Sequence, residues 1–358
     1  MAGDDELKRI RDRIDQIDEQ LQTLISERAR CALEVAAAKR ARGDDVFYRP
    51  EREAQVLQTV NARNTGPLDE PTMTRLFREI MSACLALQRP MTVAYLGPEG
   101  TFTEAAVRKH FGHSVGTRPL AAIDEVFREV EAGTADFGVV PIENSSEGAV
   151  DHTLDMFMSS PLKICSEVEL RVHHNLMGTM PTLDGVKRIY AHRMALAQCR
   201  EWLDTHFAGI EREAVSSNAE AARRARGEEG AAAIASAHAA EVYGLKLLAQ
   251  NIEDEPDNTT RFLVIGRSIA QPSGRDKTSL LLSTANRPGA LYRLLAPLAE
   301  HGITMTRIES RPSRRGMWDY VFFIDIAGHC RDSGVATAIA ALELEAAMVK
   351  ILGSYPES

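Results

Sequence analysis

"LKRIRDRIDQIDEQLQTLISERARCALEVAAAKRAR", residues 7 to 42, steps its apolar side chains by three and four: Leu7, Ile10, Ile14, Ile17, Leu21, Leu24. That spacing is the helix period and lays one apolar stripe along one face. No Gly or Pro interrupts it before Arg42, so the pattern predicts a helix of ~35 residues, ~50 Å long. A helix of that length exceeds the usual globular one and needs a partner to cover its stripe.

Working outward, "GDD" at 43 to 45 ends this helix, and Pro50 suits the first turn of a second helix over Glu51 to Asn61. Pro71 opens a third helix through "MTRLFREIMSACLALQ". Residues 1 to 90 therefore read as all-helical. After Pro90 the grammar changes: "TVAYLG" reads as a strand, "TEAAVRKHF" as a helix and "ADFGVVPI" as a buried strand. Alternation of this kind predicts a parallel α/β sheet, in one domain or two small lobes. It continues through "RIYAHRM", a helix at Ala195 to Phe207, an Ala-rich stretch "GAAAIASAHAAEVYG", and "TRFLVIG". The polar "SIAQPSGRD" at 268 to 276 has linker composition. Beyond it, 277 to 353 reads strand, helix, strand, strand, helix, strand, the βαββαβ order of ferredoxin-like units.

Composition narrows the function classes. The 51 acidic residues outnumber 42 basic ones, for a net charge of -9, which argues against nucleic acid or an anionic membrane as partner. Five scattered cysteines, never in a CxxC pair, suggest neither a disulfide framework nor a zinc site. No apolar run approaches the ~18 residues of a membrane span, and the acidic amino terminus is unlike a leader. A soluble protein of a reducing cytoplasm, with no metal and no cofactor, is expected.

Two cations interrupt the apolar stripe. Continuing the stepping past Leu24 lands on Arg28, and Lys39 follows eleven residues later. At ~100° per residue the two lie within about 20° of each other on the helix. Buried cations require either internal carboxylates, for example Glu53, or an anionic ligand. Arg11 lies ~25 Å up the helix from Arg28, so a shared ligand would need Arg11 from another subunit.

Residues 7 to 88 resemble the all-helical chorismate mutases, intertwined dimers in which each long helix serves both active sites. The resemblance implies that Arg11 of a second copy, Arg28 and Arg52 hold the carboxylates of chorismate. It assigns Lys39 and Gln88 to the ether oxygen and Glu53 to a hydroxyl. Arg49 stands where an aspartate can occur and Cys84 where a serine can, and both join the candidate contacts. Rearrangement of chorismate to prephenate transfers no proton, so a chair-shaped clamp with cations at the oxygen gaining charge suffices.

Three stretches of the α/β segment place polar groups at strand-to-helix turns. "YLGPEGTFTEAA" (95 to 106) offers backbone N–H groups and hydroxyls at a helix start. In "VVPIENSSEGAV" (139 to 150) a buried strand runs into Glu143, Asn144, Ser145 and Ser146, the position that faces the ligand crevice of open α/β sheets. "AHRMALAQC" (191 to 199) and "SSNAEAA" (216 to 222) repeat the placement, and "NTTRF" (258 to 262) sets two threonines and an arginine on the lip of a strand. Turn chemistry and helix capping are the plainer readings of each.

Together "GPEGTFTEAA", "PIENSSEG" and "TTRF" resemble prephenate dehydratase over residues 92 to 267, a two-lobed α/β enzyme with its site in the interlobe cleft. Prephenate there loses CO2 and its ring hydroxyl as water, giving phenylpyruvate. The family's essential threonine corresponds to Thr260, which acts as a positioned proton donor. Thr101, Asn144, Gln198 and Ser217 are candidate prephenate contacts, with Arg261 and Phe262 from the same motif. Arg261 has two readings, a substrate carboxylate or a loop-locking bridge to the preceding acids. Ala191, His192 and Arg193 stand where several relatives read Ser-His-Pro.

"NRPGAL" and "ESRP" in residues 277 to 358 resemble ACT domains, which bind L-phenylalanine at a dimer interface. Gly289, Ala290, Leu291, Glu309, Ser310, Arg311 and Pro312 are the matching residues. The combined expectation is a bifunctional, feedback-inhibited enzyme of phenylalanine synthesis, homodimeric, with tetramers left open. Two competing readings are a non-catalytic amino-acid sensor and a dehydratase whose helical segment merely dimerises.

Overall fold

The computed structural model describes residues 2–44, 46–284, 287–312 and 320–357. These form two compact units. The first runs to Arg49 and takes in Val56–Met91 and Phe111–Gly116; the second comprises Pro50–Gln55, Thr92–His110 and Thr117–Ser358.

The first unit is built from α1 (Ala2–Ala41), α2 (Pro50–Arg63) from Val56 onward, and α3 (Glu70–Gln88). Helix α1 stops where Gly43 turns left-handed at φ 67° and the Lys39 carbonyl accepts from the N–H groups of Arg42 and Asp44. Asp45, the last residue of the predicted stop, lies outside the described residues. Asp69 caps α3, accepting from the Thr72 N–H at 2.9 Å. Near its C-terminal end α1 packs on α3 and buries Ala32 and Ala36. The apolar stripe of its first two-thirds is uncovered: Leu7, Ile10, Ile14, Ile17, Leu21 and Leu24 are 46–60% exposed.

The second unit holds three sheets. In chain order its first elements are β1 (Thr92–Leu96), α4 (Phe102–Phe111), β2 (Gly116–Leu120), α5 (Ile123–Glu131), β3 (Phe137–Asn144), β4 (Gly148–Ala149), α6 (Asp151–Ser159) and β5 (Lys163–Arg171). A second lobe follows with β6 (Asn175–Gly178), β7 (Arg188–His192), α7 (Arg193–Gln198), α8 (Arg200–His206), β8 (Glu211–Val215), α9 (Asn218–Gly227), β9 (Ala231–Ala235), α10 (Ala237–Tyr243) and β10 (Lys246–Ala249). The helix expected over Ala195 to Phe207 is thus two helices, parted at Cys199. Strand β11 (Thr259–Gly266) then returns to the first sheet, whose order is β2-β1-β3-β11-β5, with β4 on β3.

Neither of these sheets is the purely parallel one expected. β1 and β3 run parallel, but β11 lies antiparallel between β3 and β5. In the second sheet, ordered β10-β6-β9-β7-β8, the pairs β7–β8 and β7–β9 are parallel while β6–β9 and β6–β10 are antiparallel. The reason is connectivity: crossing to the second lobe and back reverses the direction of each returning strand. Small side chains make the second lobe thin, and all five residues of β9, "AAAIA", are buried.

The C-terminal sheet carries β12 (Asp276–Ser283), α11 (Ala290–Glu300), β13 (Met305–Pro312), β14 (Tyr320–Ala327), α12 (Ser333–Glu345) and β15 (Met348–Pro356). Its order, β13-β14-β12-β15, is antiparallel throughout. Trp318 and Asp319, expected in the third of these strands, lie outside the described residues. Strand β15 packs against β5, where Gly353 sits so close to the Ile164 backbone that any side chain would collide with it. No helix among the described residues is long and apolar enough to cross a membrane.

Candidate active sites

In the helical unit Arg28 is half-buried, and among the described residues it has no hydrogen-bond or ion-pair partner. The Lys39 ammonium donates to the carbonyls of Val46 (2.7 Å) and Phe47 (3.3 Å) and lies 5.6 Å from the centre of the Phe47 ring. Arg40, which the sequence reading passed over, donates to the Gln88 carbonyl at 2.6 Å and so fixes the end of α3 beside the end of α1. Cys84 is buried, while Arg52 and Glu53 stand on the first turn of α2. Arg49 pairs with Asp44 at 2.9 Å across the turn after α1. Arg11 is exposed.

The lip of β11 is built with more constraint. Thr260 and Asn144 are direct partners across the β11–β3 ladder, and the Thr260 hydroxyl accepts from the Asn144 amide at 2.7 Å. Every polar atom of that amide is engaged. Its oxygen accepts from the N–H groups of Ser146 and Glu147, and its nitrogen also donates to the Asn258 side chain at 2.8 Å. Since Asn144 can only donate toward Thr260, the hydroxyl keeps its own hydrogen for a different partner. A proton donor aimed away from its neighbours is the one function a threonine can serve in acid catalysis.

Three other predicted contacts are turn residues. Thr101 and Ser217 cap their helices, accepting from Glu104 N–H (3.4 Å) and Glu220 N–H (3.0 Å). Gln198 ends α7, and its amide oxygen is 2.8 Å from Nε2 of His174, a buried residue the sequence reading missed. Burial, opposed by the Gln198 hydrogen bond, holds the His174 pKa below its ordinary value, so the ring is neutral and donates to Gln198. His192, between Ala191 and Arg193, accepts from the Met194 N–H as the cap of α7, and burial lowers its pKa too. Across the two lobes Glu104 faces His238 at 3.2 Å. Burial raises the Glu104 pKa, but the nearby His238 ring and the hydrogen bond from the Gly100 N–H outweigh it and hold the carboxyl at about 2.

Two predicted contacts are displaced by the structure. Phe262 is fully buried in the sheet, because its position opposite Pro141 and Val168 turns it into the core. Arg261 meets neither the substrate side nor the preceding acids. Its guanidinium, 12% exposed, pairs with Glu167 (2.7 Å) and with Asp325 (2.8 Å) from β14, and donates to the Tyr355 hydroxyl at 3.1 Å. Lys277 bridges to the other Glu167 oxygen at 2.7 Å, giving a balanced cluster of two cations and two anions.

In the C-terminal sheet a cavity of about 230 Å³ is lined by Arg287, Gly289, Ala290, Leu291, Tyr320 and Phe322 among others. Glu309 to Pro312 do not line it; they lie on β13, at the sheet's edge. Arg311 reaches Asp155 and Asp151 on α6. One chain therefore does not unite the two halves of the expected effector site. Asn286, first of "NRPGAL", lies outside the described residues.

A long helical clamp with an unpaired cation, a two-lobed α/β body with a positioned hydroxyl and a βαββαβ module define a two-enzyme chain with an attached sensor. Comparison with known proteins gives the same partition. Family models match for chorismate mutase type II at residues 10–89, prephenate dehydratase at 93–270 and the ACT domain at 278–344. A bifunctional chorismate mutase/prephenate dehydratase of Stutzerimonas stutzeri is 57% identical over 363 residues, covering 100% of both chains. Among solved structures, prephenate dehydratase from Arthrobacter aurescens in complex with L-Phe is 37% identical with a TM-score of 0.69, covering 75% of this chain and 90% of that one. A structure described as a novel type of quorum quenching acylase is 33% identical, also at TM-score 0.69, covering 75% and 98%. The chain belongs to the bifunctional chorismate mutase/prephenate dehydratase family. Its helical segment is the mutase and its α/β segment the dehydratase.

Proposed function

We propose that a homodimer of this chain, in the cytoplasm, converts chorismate to prephenate between paired α1 helices and prephenate to phenylpyruvate at Thr260, under inhibition by L-phenylalanine. Pairing is supported by the uncovered stripe from Leu7 to Leu24, too extensive an apolar surface to leave in water. In the mutase site Arg28, Lys39 and Gln88 act on one chorismate with Arg11 of the second copy, and Arg52 and Glu53 complete the contacts. Cations aimed at the departing ether oxygen and a clamped chair lower the barrier without proton transfer.

For the dehydratase, the observation that carries the reading is the Thr260 hydroxyl locked as acceptor from Asn144, with its hydrogen free. That proton goes to the ring hydroxyl of prephenate as the C–O bond breaks; the electrons released by C–CO2 cleavage complete the aromatic ring, water and CO2 leave, and solvent returns a proton to the Thr260 oxygen. Thr101, Gln198 and Ser217 hold the substrate around this centre, while Asn144, its own polar atoms engaged, orients Thr260 rather than touching substrate. L-Phenylalanine occupies the cavity beside Gly289, Ala290 and Leu291, with Glu309, Ser310, Arg311 and Pro312 closing it from a second copy. The competing sensor reading leaves the constrained hydroxyl without a role.

The test is Thr260→Ala assayed for both reactions. Phenylpyruvate formation is expected to fall by about 10²–10⁴, the usual worth of a positioned proton donor, while chorismate consumption persists. Equal loss of both activities, or wild-type phenylpyruvate formation, would overturn the assignment.

A further inference from the structure

Adjacent residues of a strand project to opposite faces of a sheet, and at the catalytic lip this separates two pairs. On one face Thr260 opposes Asn144; one residue along, Arg261 opposes Glu143. Arg261 is held by Asp325 at 2.8 Å, and Glu143 by Arg307 at 2.9 Å. Arg307 and Asp325 are themselves direct partners across β13 and β14. Two neighbouring residues of the C-terminal sheet, one positive and one negative, thus meet two neighbouring residues of the dehydratase sheet with complementary charge. The Arg307 and Asp325 side chains are 14% and 8% exposed, and the cavity they share with Arg261 and Ser279 is about 20 Å³, room for roughly one water.

We infer that Arg307 and Asp325 are positioning residues for prephenate dehydration, gripping from behind the two strands whose other face presents Thr260 and Asn144. This rests on the assignment of Thr260 and Asn144 above and extends it to residues that touch no substrate. The crossed charges fix the offset between β11 and β3. The 2.7 Å bond between Asn144 and Thr260, and with it the direction of the free hydroxyl hydrogen, depends on that offset. Asp325 is further oriented by Ser279, whose hydroxyl donates to it at 2.5 Å.

The experiment uses the full-length protein and the partly exposed pair, which tolerates substitution better than the buried Arg261–Asp325 pair. Arg307→Met, Arg307→Lys, Glu143→Gln and the double variant Glu143→Gln/Arg307→Met are assayed for both reactions, with thermal melting as a check on folding. Arg307→Met and Glu143→Gln are each expected to lower the dehydratase kcat by about tenfold to a hundredfold, the effect of a misplacement near 1 Å. KM for prephenate stays within about twofold, and mutase turnover is unchanged. Arg307→Lys recovers most of the rate, and the double variant is no slower than either single one, because both act through one bond. A wild-type kcat in Arg307→Met, losses that multiply in the double variant, or a parallel fall of both activities would each overturn the inference. Thr260→Ala measured alongside separates the failures. If that variant keeps its dehydratase rate, the site assignment fails; if it is dead while Arg307→Met is normal, only the positioning role fails.

Discussion

Complementation between two disabled chains tests the shared helical site. Helix α1 rises about 1.5 Å per residue, placing Arg11 about 25 Å from Arg28 and about 40 Å from Lys39, beyond the reach of one small dianion. Lys39→Ala removes a cation from the charge developing on the ether oxygen, a loss of about 3–4 kcal/mol or 10²–10³ in kcat, and Arg11→Ala removes a carboxylate clamp, whose loss of positioning costs about 10². Purified separately, both variants are expected to retain at most about 1% of mutase turnover. Reassorted in equal amounts, about half of the twofold-symmetric dimers contain one chain of each kind. In those dimers one site joins the intact Lys39 of the first chain to the intact Arg11 of the second, and the other site lacks both. Mutase activity should therefore return to about one quarter of wild type, read as loss of chorismate absorbance. Recovery no greater than the mean of the separate variants refutes the intersubunit site, as does full activity in Arg11→Ala alone.

Arg261→Met leaves Glu167 and Asp325 without their shared cation and should destabilise the second unit by about 3–5 kcal/mol, visible as a lowered melting temperature, whereas a neutral effect would show the cluster to be dispensable. Phe262→Ala, deleting a fully buried ring, should cost about 3–5 kcal/mol in denaturant unfolding; a loss of prephenate affinity with unchanged stability would restore it as a contact. The Glu104 carboxyl sits at about 2 against an ordinary 4.5. Its contribution to stability is fully present above pH 4.5 and fades as pH falls toward 2, so His238→Asn should flatten the stability profile across that window. Gly289 starts α11 at φ 74°, where a side chain costs about 1 kcal/mol; Gly289→Ala should weaken L-phenylalanine about fivefold by calorimetric titration, and unchanged affinity would dissociate this turn from the effector.

Legibility in the sequence followed the range of the interaction. The α1 stripe and the interruption at Arg28 are local and periodic, so the residues announce them. Thr260 and Asn144 stand out in the sequence because each sits at a strand end within a recognisable run, and their pairing is what the β11–β3 ladder adds. The destination of Arg261 was not legible, since Glu167, Asp325 and Tyr355 lie far from it along the chain and converge only when β5, β14 and β15 pack. Strand direction failed for a similar reason: β11 looks like the next strand of an alternating series, yet its neighbours were laid down before the second lobe began. His174 gave no signal at all, because the second histidine of "VHHNLMG" is ordinary until Gln198 is seen beside it.

The place of β11 between β3 and β5 also sets an order of events on the ribosome. The first lobe emerges with a slot at its centre, its two flanking edges unpaired, and stays so until the entire second lobe has been translated. The strand that closes the slot carries Thr260, the proposed proton donor, so fragments ending before residue 259 should lack dehydratase activity and be prone to aggregation, whatever the helical mutase segment upstream of them does. Completion of the sheet and arrival of the proposed proton donor coincide in a single insertion.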